Sequence, residues 1–138
     1  MKYVHEILED VEKAKTKKEK VSVLVENNCL TLRNILRGTF DPSVEFILPT
    51  GSPPYNPSVS NQSPRSLESQ CAHLNKFIKG GPGQKMKSWQ RENIFISMLE
   101  KVHPKDAAIL IRMKDKDLEI KGLTLDVVKE AFPSLIKG

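Results

Sequence analysis

Apolar residues recur at helical spacing along most of this chain, and most of these runs are bounded by residues suited to start or stop a helix. Val4, Ile7, Leu8, Val11 and Ala14 share one face and leave Glu6, Glu9, Asp10, Glu12 and Lys13 outside, which predicts a first helix over about 2–14. Thr16-Lys17-Lys18-Glu19 has the form of a capping box: the threonine hydroxyl can accept the Glu19 amide while the glutamate reaches back. It should open a second helix with Val21, Leu24 and Val25 turned inward. A third helix is expected near Leu30–Leu36, with Gly38 as the residue that ends it. After the turn Asp41-Pro42-Ser43, the short β-rich stretch Val44–Leu48 reads either as extended chain or as one helical turn.

The next segment, PTGSPPYNPSVSNQSP, holds five of the nine prolines, so no packed helix can be written through it. An exposed Pro/Ser-rich loop is expected at 49–65. Its composition would also suit a flexible linker, but its length favours an internal loop of one domain spanning 1–138. Leu67, Cys71, Leu74 and Ile78 predict a fourth helix, stopped by Gly80-Gly81-Pro82-Gly83. Phe95, Met98, Leu99 and Val102 lie along one stripe of a fifth, over about Trp89–Val102. His103-Pro104-Lys105-Asp106 starts a sixth, because proline at the first helical position loses no needed hydrogen bond and Asp106 suits the positive end of the dipole. The last helix begins at Thr124, with Leu123 and Val128 as a hydrophobic staple, and stops before Pro133. Phe132 should anchor it in the core. The expected fold is all-α, a single compact bundle of six or seven helices with a proline-rich loop.

Composition narrows the function. With 138 residues, 38% hydrophobic and 28% charged, the chain has an ordinary globular balance and room for one core. The longest purely apolar run, Ala107 to Ile111, is too short for a bilayer, and the charged N-terminus does not fit a signal peptide. A cytoplasmic protein that does not engage a membrane is therefore expected. Cys29 and Cys71 fit buried free thiols better than a disulfide. No Cys-x-x-Cys or His-x-x-x-His spacing exists, so no metal site is expected.

The net charge of +5 is uneven: residues 1–60 carry eight basic and eight acidic side chains, residues 61–100 six against three. Lys76, Lys79, Lys85, Lys87 and Arg91 follow one another with no acid between them, around a glycine-rich turn and beside Phe77 and Trp89. The GxxxxGK[ST] spacing of a nucleotide loop is absent. Lysines there could displace counterions from a polyanion while glycines let the backbone approach a phosphate. The other reading is a solvated, mobile loop with Trp89 in the core. Lys13, Lys15, Lys17, Lys18 and Lys20 form a second cluster, with Glu12 and Glu19 among them; basic residues at a helix start oppose its dipole, although a plain solvent-facing helix start also accounts for them. The histidines, His5, His73 and His103, are scattered, and no acid/base or nucleophile motif is visible. No enzymatic activity, cofactor or small-molecule substrate is expected.

Two stretches together resemble the N-terminal DNA-binding domain of phage-type ATP-dependent DNA ligases. One is Ile7-Leu8-Glu9-Asp10 followed by Thr16-Lys17-Lys18-Glu19-Lys20, with Leu30 through Phe40 behind it. The other runs from Arg112-Met113 through Asp117-Leu118-Glu119, Gly122 and Thr124 to Ala131-Phe132-Pro133-Ser134-Leu135-Ile136. Residues 49–85 depart from the pattern. The chain is also similar to small uncharacterised proteins of T4-like phages, including those of cyanobacteria. The resemblance implies an all-helical fold that grips duplex DNA across the minor groove, mainly through its backbone. Lys-x-Asp-Gly is absent, and with it the lysine that ligases adenylylate. By position it implies phosphate contacts from Thr16, Lys17 and Lys18 and from Lys121, Gly122 and Thr124. With Lys15, and with Lys79, Lys85, Lys87 and Arg91 added on charge alone, these are the candidate DNA-binding residues. The expected function is non-catalytic, largely sequence-independent binding of duplex DNA, accessory to phage DNA replication or repair in the host cytoplasm. The alternative is a protein-interaction module that engages a replication, clamp or host protein, with the proline-rich loop, Tyr55 at its centre, as its natural contact.

Overall fold

The structure is a computed structural model that describes residues 2–57 and 63–136. Among these residues seven α-helices and one 3₁₀ segment follow in order: α1 (Val4–Lys13), α2 (Lys17–Glu26), α3 (Leu30–Phe40), α4 (Pro64–Gln70), the 3₁₀ segment Cys71–Phe77, α5 (Ser88–Lys101), α6 (Pro104–Lys114) and α7 (Leu125–Ala131). The fold is all-α, with no strand among the described residues beyond one antiparallel bridge between Phe46 and Ile78. That bridge settles Val44–Leu48 as extended chain. Residues 58–62 of the expected proline-rich loop lie outside the described residues.

α6 is the hub, packed on α1, α3 and α5; α2 lies against α1 and α7, and α4 against α5. The reason is composition: Ala107, Ile109, Leu110 and Met113 of α6 are all buried, and Leu8, Leu32, Leu36 and Leu99 meet the same core. Pro104 opens α6 as expected, with His103 Nδ1 accepting the Lys105 amide. Leu123 and Val128 are both buried at the start of α7. No helix among the described residues is long and apolar enough to cross a membrane.

Four expectations change. The fourth helix does not run α-helical to Ile78. It tightens after Gln70 into the 3₁₀ segment, whose three-residue repeat puts Cys71, Leu74 and Phe77 on one face and buries the Phe77 ring. The α-period reached Ile78 instead, which lies in the bridge. α3 passes through Gly38 to Phe40: a Cβ at Gly38 would stand 2.9 Å from Met113 Sδ and 3.1 Å from Phe46 Cζ, so this glycine serves the α3–α6 contact, not a helix stop. Val25 is half exposed; Leu24 alone of α2 is fully buried. Phe132 is half-buried at the C-terminal cap of α7 and packs on the edge of the core. Phe132→Ala is therefore expected to cost about 2 kcal/mol, short of the ~3–5 kcal/mol of a fully buried phenylalanine. Urea denaturation measures it, and a loss above about 3 kcal/mol would place the ring in the core proper.

Candidate nucleic-acid interface

The Thr16 half of the expected capping box forms at the start of α2, while Glu19 reaches back past the cap residue. Thr16 Oγ1 accepts the Glu19 amide at 3.1 Å, and Glu19 Oε2 reaches back to the Lys15 amide at 3.0 Å, one residue before the cap. This fixes a corner between α1 and α2 on which Lys15, Thr16, Lys17 and Lys18 are exposed. Lys20, in the same run, turns inward instead. Its ammonium donates to the carbonyls of Val11 (2.9 Å) and Ala14 (2.6 Å), which closes the C-terminal end of α1.

The C-terminal candidate residues lie at this same corner. The Lys121 amide donates to Glu12 Oε2 at 3.0 Å. Gly122 has φ +82°, a backbone conformation that calls for glycine, and it lies against the end of the Lys20 side chain. Thr124 caps α7, accepting the Val127 amide at 3.4 Å, and Lys17 pairs with Glu130 at 3.5 Å across α2 and α7. Two stretches more than a hundred positions apart thus form one surface. The side chains of Lys15, Lys18 and Lys121 are exposed there and make no ion pair among the described residues. The hydroxyls of Thr16 and Thr124 are engaged in their own caps, so they position the surface while the lysines supply its charge.

The glycine-rich turn is built differently from the expectation. It is tied to the Phe46–Ile78 bridge, where the Ile47 amide donates to the Phe77 carbonyl (2.6 Å) and the Lys79 amide to that of Glu45 (2.7 Å). Gly81 and Gly83 then lie directly on the 3₁₀ segment. A Cβ at Gly83 would come within 1.9 Å of the Lys76 carbonyl oxygen, and one at Gly81 within 2.5 Å of that of Asn75. The close approach these glycines permit is made to the protein's own backbone. Arg91 is only 7% exposed and does not face solvent. Its guanidinium donates to the carbonyls of Ile47, Gly83, Gln84 and Met86. A buried cation with this many acceptors is a structural clamp, which removes Arg91 from the candidate contacts. The signal was present in the sequence: Arg91 is in register with Phe95, Met98, Leu99 and Val102 on the inward stripe.

The clamp leaves Lys79, Lys85 and Lys87 exposed on an ordered turn. Lys79 stands 3.8 Å from Glu45, and Lys85 and Lys87 make no ion pair among the described residues. Lys76 is half-buried, 3.1 Å from His73 Nδ1. Trp89, at the start of α5, is 57% exposed. It walls a cleft of about 340 Å³ whose other side is the proline-rich segment, with Glu92 and Asn93 among its polar residues. The described part of that segment is tied down. Lys114 Nζ donates to the Pro49 carbonyl (2.7 Å), Asp115 accepts the Gly51 amide (3.1 Å) and Glu100 accepts that of Asn56 (2.8 Å). Tyr55 is half-buried against the core.

One cluster escaped the sequence reading. His5 and Asp106 meet in the interior, with His5 Nδ1 2.8 Å from Asp106 Oδ1, and the His5 backbone amide donates to the same oxygen at 3.1 Å. The rings of Tyr3 and His103 pack on His5 at centroid distances of 5.1 and 4.6 Å. Nothing in the spacing of the histidines pointed to this, because the partners are joined only by the fold. Cys71 and Cys29 are free and half-buried. Burial, with Cys29 and Asp106 nearby, pushes the Cys71 thiol up to about 12, so it holds its proton at neutral pH and is a poor nucleophile. Among the described residues no group of three or more His, Cys, Asp or Glu side chains is placed to hold a metal.

Against known proteins, residues 7–120 match the model of a family described as "Family of unknown function (DUF6433)". The comparison with curated proteins gave no match. Among solved structures the chain is similar to Pmar-Lig_PreS3, a ligase-related chain, with a TM-score of 0.68 and 14% identity. The match covers 100% of this chain and 32% of that one, so this chain spans about a third of its length. At that identity the likeness shows the fold.

Proposed function

This chain belongs to DUF6433, a family of unknown function, and we propose that it is a non-catalytic protein that binds duplex DNA through the sugar–phosphate backbone with little preference for sequence. The observation that carries the reading is the convergence of Lys15, Lys17 and Lys18 with Lys121 on the corner of α1, α2 and α7. Lys17, Lys18 and Lys121 are positions that the ligase resemblance implies, Lys15 adjoins them, and the fold is shared with a ligase-related chain. Exposed lysines neutralise phosphates by displacing condensed counterions, which needs no base-reading groups. Lys15, Lys18 and Lys121 have no ion pair among the described residues to give up, and Lys17 would exchange its contact with Glu130. The missing Lys-x-Asp-Gly supports a binding role without adenylylation, and the phage likeness of the sequence supports a role accessory to phage DNA replication or repair. Lys79, Lys85 and Lys87 offer a second patch of the same sign. The rival reading, a protein-interaction module, keeps the exposed residues of the proline-rich segment as its contact, with Tyr55 half-buried against the core.

The test is fluorescence anisotropy with a labelled duplex over a series of salt concentrations. Affinity should fall with a log–log slope of about −0.9 per neutralised phosphate. Changing Lys15, Lys17 and Lys18 together to alanine should flatten that slope by up to about 2–3 units, and a separate triple change at Lys79, Lys85 and Lys87 measures the second patch. All six side chains are exposed, so the fold should survive. If the wild-type chain retains no duplex even at low salt, DNA binding is wrong and the protein-interaction reading replaces it.

A further inference from the structure

Trp89 is the only tryptophan of the chain, and its indole is mostly in solvent although the helix that carries it has a well-formed inward face. It is displayed on a rigid base. Arg91, two residues on, gathers the carbonyls of the preceding turn, and the Lys87 amide donates to Gln90 Oε1 at 3.1 Å to start α5. Lys85 and Lys87, exposed and without ion pairs among the described residues, stand on the same turn. Beside the indole opens the cleft of about 340 Å³, lined also by Pro49, Pro53 and Pro54 of the tied-down segment and by Glu92, Asn93 and Lys114.

We propose that Trp89 and this cleft seat one unpaired base of a nucleic acid strand, with Lys85 and Lys87 holding the adjoining phosphates. The proposal rests on the nucleic-acid reading above and adds a second, strand-specific contact to it. Charge sets the orientation. Lys114 also lines the cleft, but its ammonium is engaged by the Pro49 carbonyl and Asp115. That leaves the Glu92 carboxylate to disfavour phosphate inside, while Lys85 and Lys87 outside the cleft hold the backbone, so the base enters. Indole and proline offer flat apolar walls to a base face, and stacking of this kind tolerates any base. Glu92 is an acceptor, which favours bases carrying an exocyclic amine over thymine. In an intact duplex the base faces are already stacked on each other, so the site selects single-stranded or locally opened DNA.

Because Trp89 is the only tryptophan, its emission reports this site alone. The full chain is titrated at low salt with oligo(dC), oligo(dT) and an intact duplex, following both tryptophan emission and the anisotropy of labelled DNA. The expected result is strong quenching by oligo(dC), which binds about fivefold tighter than oligo(dT), the worth of about one hydrogen bond. The duplex should bind with little change in emission. Trp89→Ala should weaken oligo(dC) about tenfold and Trp89→Phe much less, with duplex affinity unchanged in both. Oligonucleotide binding without quenching, or equal loss of single-strand and duplex affinity in Trp89→Ala, overturns the base seat while leaving DNA binding intact. Quenching by a proline-rich peptide and not by either oligonucleotide overturns it in favour of a protein partner. Absence of binding to every DNA, by anisotropy, fails the underlying reading as well.

Discussion

Gly83→Ala is expected to destabilise the protein by about 3 kcal/mol, the upper end of what an overpacked interior methyl costs. The added carbon would meet the Lys76 carbonyl oxygen at 1.9 Å, and that oxygen belongs to backbone that cannot swing aside as a flexible side chain could. Relief requires the turn to lift from the 3₁₀ segment, which would pull the Gly83 and Gln84 carbonyls away from the buried Arg91 guanidinium. The cost should therefore include part of that clamp. Gly80→Ala is the control: with φ +84° and nothing within 4 Å of the added carbon, it meets only left-handed backbone strain, about 1 kcal/mol. Urea denaturation at constant m-value compares the two. A Gly83→Ala loss no greater than that of Gly80→Ala would mean that the turn is loosely held, and the ordered platform under Lys85, Lys87 and Trp89 would go with it.

Asp106→Ala should be comparably damaging, at about 3 kcal/mol. One buried carboxylate oxygen serves both the His5 backbone amide and the His5 ring, and its removal leaves two buried groups without an acceptor at the junction of α1 and α6. Each such orphan costs about 1–3 kcal/mol. Asp106→Asn keeps an oxygen in the same place and should lose less than half as much. Equal losses for the two substitutions would show that the carboxylate charge, and not its acceptor position, is what α1 depends on.

The two variants mark where reading the sequence succeeded and where it stopped. Local rules placed the helices. The Val4–Val11 spacing, the Thr16 box, Pro104 and the Thr124 cap all lie where intrachain periodicity and capping chemistry put them. They failed where the deciding partner is distant in the chain. Gly38 reads as a helix stop until Met113 and Phe46 are seen against it, and the stripe Leu67–Ile78 reads as α-helix until Phe77 takes the buried place. Cations were hardest to read, since a lysine or arginine looks alike whether it meets solvent or closes a helix end. Lys20, Arg91, Lys114 and Lys116 all donate to backbone carbonyls, and Lys116 reaches those of Gly38 and Asp41. Arg91 and Lys114 carried a warning, through their register with the buried residues of α5 and α6. In the candidate interface, the meeting of Lys15–Lys18 with Lys121–Thr124 was foreshadowed by the ligase resemblance and by nothing in periodicity or charge.

The joining of α1 to α6 also bears on how the chain reaches this state. His5 finds Asp106 across 101 positions, and Glu12 finds the Lys121 amide across 109. Contacts of such span must close a long loop before they return any stability, and proteins rich in them fold more slowly than bundles of sequential neighbours. During synthesis α1 emerges first and α6 about a hundred residues later, an interval of roughly 5–20 s at ~5–20 residues per second. Through that interval Val4, Ile7, Leu8 and Val11 lack the α6 side of their packing, so the nascent N-terminal half exposes part of the apolar face that the finished protein conceals.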